Sequence, residues 1–247
     1  MNNIKKIIIL VFVGILIFFT GFVFAKVADA DHKEVVKTDN TDSDNKKTVN
    51  KTNSNSFKQE ENIVFLGDSI TEYYPIDEIY GDLPIVKSGV SGYQTKDILN
   101  RMDKMVYSYN PTKIFLLIGT NDYMYDTKQE TIDNTMKNIK KIVNGIRENR
   151  KNTKLYIESI FPVNSTISEK TVAKRTNEAI IETNDMIKEY CEENKITYIN
   201  LFDELTDKDG NFSKDYTNDG LHPNTLGYAK ITRVLMPYII ETDNVKA

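Results

Sequence analysis

Between about residues 61 and 240, short apolar runs alternate with longer stretches in which apolar residues recur every three or four positions. The short runs are Ile63–Leu66, Leu83–Val86, Ile114–Ile118, Leu155–Ile160 and Thr197–Asn200, the length of strands buried inside a sheet. The periodic stretches predict four helices. Ile98, Met102, Met105, Val106 and Tyr109 share one face of the first, and Ile132, Met136, Ile139, Val143 and Ile146 one face of the second, which Asn149–Asn152 ends. A third is expected over Thr171–Glu193 and a fourth from Thr225 through Ile239. Short apolar strands alternating with helices indicate an α/β fold, a mostly parallel sheet covered on both faces. Right-handed crossovers then bring the loops after all the strands to one edge.

The pattern differs at the amino end. Lys5 and Lys6 precede an apolar run from Ile7 to Ala25. At about 1.5 Å per residue this run nearly spans the ~30 Å hydrocarbon core of a bilayer. The positive flank sets its start in the cytoplasm and the remainder outside. Residues 1–25 therefore read as a signal peptide, with candidate cleavage points at Ala25 and Ala30, or as an uncleaved single-pass membrane anchor. Residues 26–60 are rich in Lys, Asp, Asn, Thr and Ser, with no apolar face, and read as a disordered polar linker. Residues 61–241 make the folded domain and 242–247 a polar tail. The expected location is extracytoplasmic, membrane-anchored or secreted.

Charge and composition narrow the function. A chain of 247 residues with 32 basic and 36 acidic side chains carries no positive field for nucleic acid. The single cysteine, Cys191, lies in a helical pattern and is expected to pack in the core. One of the two histidines, His32, falls in the linker, so the folded part has only His222. No histidine pair is available for a metal, and neither metal nor cofactor is expected.

The loops after the strands hold the candidate chemistry. Gly67-Asp68-Ser69 follows the first, and a serine there is either a turn-former or a nucleophile. Asp219, three residues before His222, can accept the Nδ1 proton and leave Nε2 as a base, the arrangement that activates a serine. A tetrahedral intermediate also needs donors aimed at its oxygen. Gly89, after the second strand, lets a backbone N–H approach closely; Asn121 offers an amide from the end of the third, and Ser69 its own N–H. Asp122 is expected to brace its loop or cap a helix and to stay outside the site.

Gly67-Asp68-Ser69, Gly89, Gly119-Thr120-Asn121-Asp122 and Asp219-Gly220-Leu221-His222-Pro223 together resemble the four blocks of the GDSL/SGNH hydrolase superfamily, in order and in separation. Within it the chain looks most like the small bacterial acylhydrolases related to platelet-activating-factor acetylhydrolase. The resemblance spans about Asn62 to Ile240; its one departure is Ile70, where the family's name has leucine. It implies a flavodoxin-like three-layer α/β/α fold with a five-stranded sheet. It also implies Ser69 as nucleophile, His222 as base oriented by Asp219, and Gly89 and Asn121 as oxyanion donors. The interval from Ser69 to Gly89 is too short for an inserted lid, which favours a short acyl group, acetyl above all. Tyr73, Tyr74, Tyr93, Tyr123 and Tyr125 follow the same loops, and those at a cleft mouth could stack on sugar rings. The expected partner is thus a small ester or an O-acetylated glycan of a cell wall or surface. The alternatives are a lysophospholipase or thioesterase, an O-acyltransferase, and a surface binding module without catalysis.

Overall fold

The computed structural model describes residues 61–241; the expectations for residues 1–25, 26–60 and 242–247 fall outside them. Five strands form one all-parallel sheet: β1 (Ile63–Gly67), β2 (Ile85–Gly89), β3 (Lys113–Leu117), β4 (Lys154–Glu158) and β5 (Thr197–Ile199). Their order is β2-β1-β3-β4-β5, with Gly67 paired to Gly89 on one side and to Leu117 on the other. The strand order reverses between β1 and β3, the place where open α/β sheets leave a crevice beyond their strand ends. Helices cover both faces, giving the three layers that the sequence pattern and the resemblance implied.

The alternation of a strand divides its apolar residues between two cores. Val64, Leu66, Ile114, Leu116, Leu155 and Ile157 face one side, where they meet Ile132, Met136, Ile139 and Ile180. Ile63, Phe65, Phe115, Leu117, Tyr156 and Ile199 face the other, against Ile231, Leu235 and Ile239. On that second face Phe65, Phe115 and Tyr156 are in register and stack in a row, with ring centroids 4.9 and 4.6 Å apart. Cys191 is buried in the first core, and burial pushes its thiol up to about 12. It is packing, as its position in the pattern predicted. Among the described residues no helix is long and apolar enough to cross a membrane.

The helices in chain order are α1 (Ser69–Glu72), α2 (Ile76–Tyr80), α3 (Thr95–Leu99), α4 (Met102–Met105), α5 (Gln129–Asn149), α6 (Glu169–Val172), α7 (Asn177–Asn194), α8 (Phe202–Leu205) and α9 (Thr225–Ile239). Three expectations need correction. Strand β2 lies at Ile85–Gly89, later than its apolar letters suggest, because this edge strand continues through Lys87 and Ser88 while Leu83 is exposed. The first predicted helix divides into α3, α4 and a 3₁₀ turn at Tyr107–Tyr109, which ends on Asn110 in the left-handed region. The third divides into α6 and α7. Ala173 ends α6 at φ 58°, and Thr176 opens α7 by accepting the Ala179 N–H on its side chain.

Candidate active site

Strand β1 delivers Ser69 to the crevice. Asp68 caps α1 by accepting the Ile70 N–H on its carboxylate at 2.9 Å, which makes Ser69 the first residue of that helix. The turn is tight: a Cβ on Gly67 would fall 2.4 Å from the Leu117 carbonyl oxygen. Ser69 Oγ lies 3.0 Å from His222 Nε2. Residues 153 positions apart in the chain are thus within proton-transfer reach.

His222 is held from behind. Its Nδ1 is 2.7 Å from Asp219 Oδ2, while Asp219 Oδ1 accepts the backbone N–H groups of Leu221 and His222 at 2.9 and 2.8 Å. Burial pushes the Asp219 carboxyl up, but these hydrogen bonds from the His222 ring and the two backbone amides outweigh it and hold the group below the ordinary carboxylate value. An ionised Asp219 can only accept, so the proton belongs on Nδ1 and Nε2 is left as the acceptor facing Ser69. The loop keeps this shape because Gly220, at φ 80°, passes so close to Asn164 that a Cβ would lie 2.2 Å from its carbonyl oxygen. The Thr217 hydroxyl also donates to the His222 carbonyl at 2.8 Å.

The remaining sequence candidates meet at the same edge. Val90 N–H bonds back to the Gly67 carbonyl at 3.2 Å, so by the alternation of a parallel ladder the Gly89 N–H is turned away from β1, off the open edge of the sheet and not toward Ser69, which departs from the oxyanion role expected of it. Asn121 sits in a 3₁₀ turn after β3, buried, with Nδ2 donating to the Tyr93 carbonyl at 3.0 Å. An amide nitrogen carries two hydrogens, which leaves one for another acceptor. Asp122 stays outside: its carboxylate accepts the N–H and hydroxyl of Thr95 at 3.0 and 2.6 Å and so pins the start of α3, the bracing role expected of it.

Two features of this edge escaped the sequence pattern. Arg175, in the break between α6 and α7, donates to Asn121 Oδ1 at 2.7 Å. Glu72, in α1, accepts both the N–H and the hydroxyl of Ser91, which lowers its carboxyl and clips α1 to the loop after β2. A signal for the break itself was available, since Thr176-Asn177-Glu178 has the cap residue and early acid of a helix start, but nothing signalled the contact to Asn121. The five tyrosines divide, with Tyr93 half-buried against the first core. Tyr74 and Tyr123 are buried in the cores, while Tyr73 (54% exposed) and Tyr125 (77% exposed) face solvent. The Tyr73 ring centroid lies 5.5 Å from that of His222, forming one wall of the site.

The profile of the GDSL-like Lipase/Acylhydrolase family matches residues 65–230, from β1 through the start of α9. The chain belongs to that family. Membership makes it a carboxylic ester hydrolase, as the resemblance implied. A solved Streptococcus pneumonia structure, provisionally assigned as a platelet activating factor, is 36% identical; the match covers 75% of this chain and 86% of that one, with a TM-score of 0.67. An acetylxylan esterase from Geobacillus stearothermophilus, solved as a catalytic mutant with a serine changed to alanine, shares the family fold at 19% identity and a TM-score of 0.55, covering 74% of this chain and 95% of that one. An Escherichia coli N-acylneuraminate cytidylyltransferase is 29% identical over 177 residues, 70% of this chain. This chain spans only 39% of that protein's length.

Proposed function

We propose that the chain is a serine esterase that removes short acyl groups, acetyl first among them, from carbohydrate. Ser69 Oγ attacks the ester carbonyl carbon as its proton passes to His222 Nε2. The carbonyl oxygen takes up the electron pair and is met by the Ser69 N–H and the free Nδ2 hydrogen of Asn121. Collapse of this intermediate expels the alcohol, which takes the proton from His222, and leaves an acyl-serine. Water then attacks the acyl-serine, gives its proton to His222, and releases the carboxylic acid and free Ser69. Asp219 holds the imidazole tautomer and stabilises the imidazolium. The observation that carries this reading is the continuous relay from Ser69 Oγ to His222 Nε2 at 3.0 Å and from His222 Nδ1 to Asp219 at 2.7 Å.

The preference for a short acyl group rests on the connections around the site. The segment from Ser69 to β2 forms only α1 and α2, and of its apolar side chains Tyr73 and Leu83 stay exposed while Ile70, Tyr74, Ile76 and Tyr80 turn into the core. They offer no apolar roof for a fatty chain. A carbohydrate substrate is supported by Tyr73 and Tyr125, exposed aromatics on two of the loops at this edge. It is supported too by relatives that act on acetylated xylan or handle an acylated sugar acid. The amino-terminal run at positions 7–25 supports an exported enzyme working on a wall or surface glycan.

The test pairs a serine-reactive phosphonate with a series of esters. Labelling of Ser69, turnover of acetyl esters and an acetylated glycan, and loss of both in Ser69→Ala are expected. An unlabelled Ser69 would place the nucleophile elsewhere. A preference for chains of eight carbons or more would replace the glycan substrate with a lipid one.

A further inference from the structure

We infer that Arg175 is a positioning residue for the oxyanion site: its guanidinium locks the Asn121 side chain in the one orientation that leaves an amide hydrogen for the developing oxyanion. The inference deepens the esterase mechanism proposed above and rests on it. Arg175 is 4% exposed, and each of its nitrogens is used. Nε donates to the Thr120 carbonyl at 2.8 Å, Nη1 to the Val172 carbonyl at 2.9 Å, and Nη2 to Asn121 Oδ1 at 2.7 Å. Asn121 is held on its other sides as well, Nδ2 by the Tyr93 carbonyl at 3.0 Å and its own carbonyl by Gln94 Nε2 at 2.9 Å.

These contacts exclude the flipped amide. Exchanging Oδ1 and Nδ2 would set an NH₂ group against a guanidinium, donor against donor, and an oxygen against the Tyr93 carbonyl, acceptor against acceptor. The observed orientation satisfies Oδ1 and one Nδ2 hydrogen and leaves the second hydrogen uncommitted. A guanidinium stays charged at any working pH, and in a buried setting a charged donor on the amide oxygen strengthens the N–H on the same amide. Lysine could supply the charge but not the planar fork that reaches Thr120 and Asn121 together. Asp68, the buried cap of α1 next to the nucleophile, feels this cation: burial raises its carboxyl to about 7, and the Ile70 N–H and then the Arg175 charge draw it back down. The cation behind the oxyanion site comes from a break in a helix, on a chain segment distant from all four family blocks.

A merely structural arginine would also lower activity if lost, so the test must separate the two. Asn121→Ala is expected to lower kcat by about 10²–10³-fold, the usual cost of one oxyanion donor. Arg175→Gln is expected to lower kcat by about 10- to 100-fold, with KM held within about threefold. Because Arg175 acts through Asn121, the double variant should be no slower than Asn121→Ala alone. Arg175→Lys should recover part of the loss in the wild-type background and change nothing in the Asn121→Ala background. That pair of variants carries the same test if Arg175→Gln does not fold. An Arg175 loss that persists undiminished beside Asn121→Ala, or a kcat unmoved by Arg175→Gln, would overturn the inference while phosphonate labelling of Ser69 left the esterase mechanism standing. A wild-type chain that leaves Ser69 unlabelled would bring down the mechanism and the inference together.

Discussion

Gly89 stands where the end of the edge strand presses on the helix that carries the nucleophile. A Cβ there would lie 2.4 Å from Glu72 N and 2.7 Å from the Asp68 carbonyl oxygen, both backbone atoms that cannot swing aside. Gly89→Ala must therefore push β2 away from α1 and shift the helix that carries Ser69. The expected outcome is a loss of about 1–3 kcal/mol in urea unfolding, the usual cost of forced overpacking, with kcat down more than about tenfold. Unchanged stability would show that the strand end yields freely. That Ser69, Asp219 and His222 come together was legible in the sequence because each belongs to a short local pattern, a turn after a strand or a carboxylate three residues before an imidazole. Arg175 was not, since its meaning lies in a contact 54 positions away and nothing beside it in the chain points to Asn121.

Among the elements, the interruption between α6 and α7 does most to shape the site. The apolar spacing of the sequence runs through it, which is why a single helix over Thr171–Glu193 was expected. Local chemistry prevails over the period: Ser168 caps α6, Thr176 caps α7, and Ala173 between them takes a left-handed φ of 58°. A Cβ in that region costs roughly 1–2 kcal/mol. Ala173→Gly is expected to raise stability by up to about 1 kcal/mol, part of the relief being lost to the greater freedom of glycine in the unfolded chain. Activity should be unchanged, as measured by thermal unfolding beside acetyl-ester turnover. A destabilised variant would mean that the left-handed turn carries no strain. The long α5 and α9 were legible, α9 at both ends and α5 at its close, since their periodicity and their function as core cover coincide. Strand β2 was not, because an edge strand needs apolar residues on less of its surface and its letters fade into Lys87 and Ser88.

At the scale of the whole molecule, the sheet order and both cores follow from the alternation of strand and helix, while the acids buried between the layers do not. Glu158 closes β4 among Tyr74, Phe161 and Tyr228, and burial lifts its carboxyl to about 8 from an ordinary 4.5. Between those two values the folded chain holds a proton that the unfolded chain has released, so stability falls as pH rises through that window. Glu158→Gln removes this term. Its advantage over wild type in chemical unfolding should grow from pH 5 to pH 8, by a few kcal/mol at about 1.4 kcal/mol per pKa unit. An advantage independent of pH would place the effect in packing. The two ends of the described domain share one side. Asn62 bonds to Thr112 just before β3, and the Ile239 and Glu241 carbonyls accept from Lys113 at its first residue, whereas Ser69 and His222 lie beyond the opposite strand ends. A tag, resin or fusion partner joined directly to either end of the described domain therefore grips it by its blind side, and a bulky polymer can still be presented to it face-on.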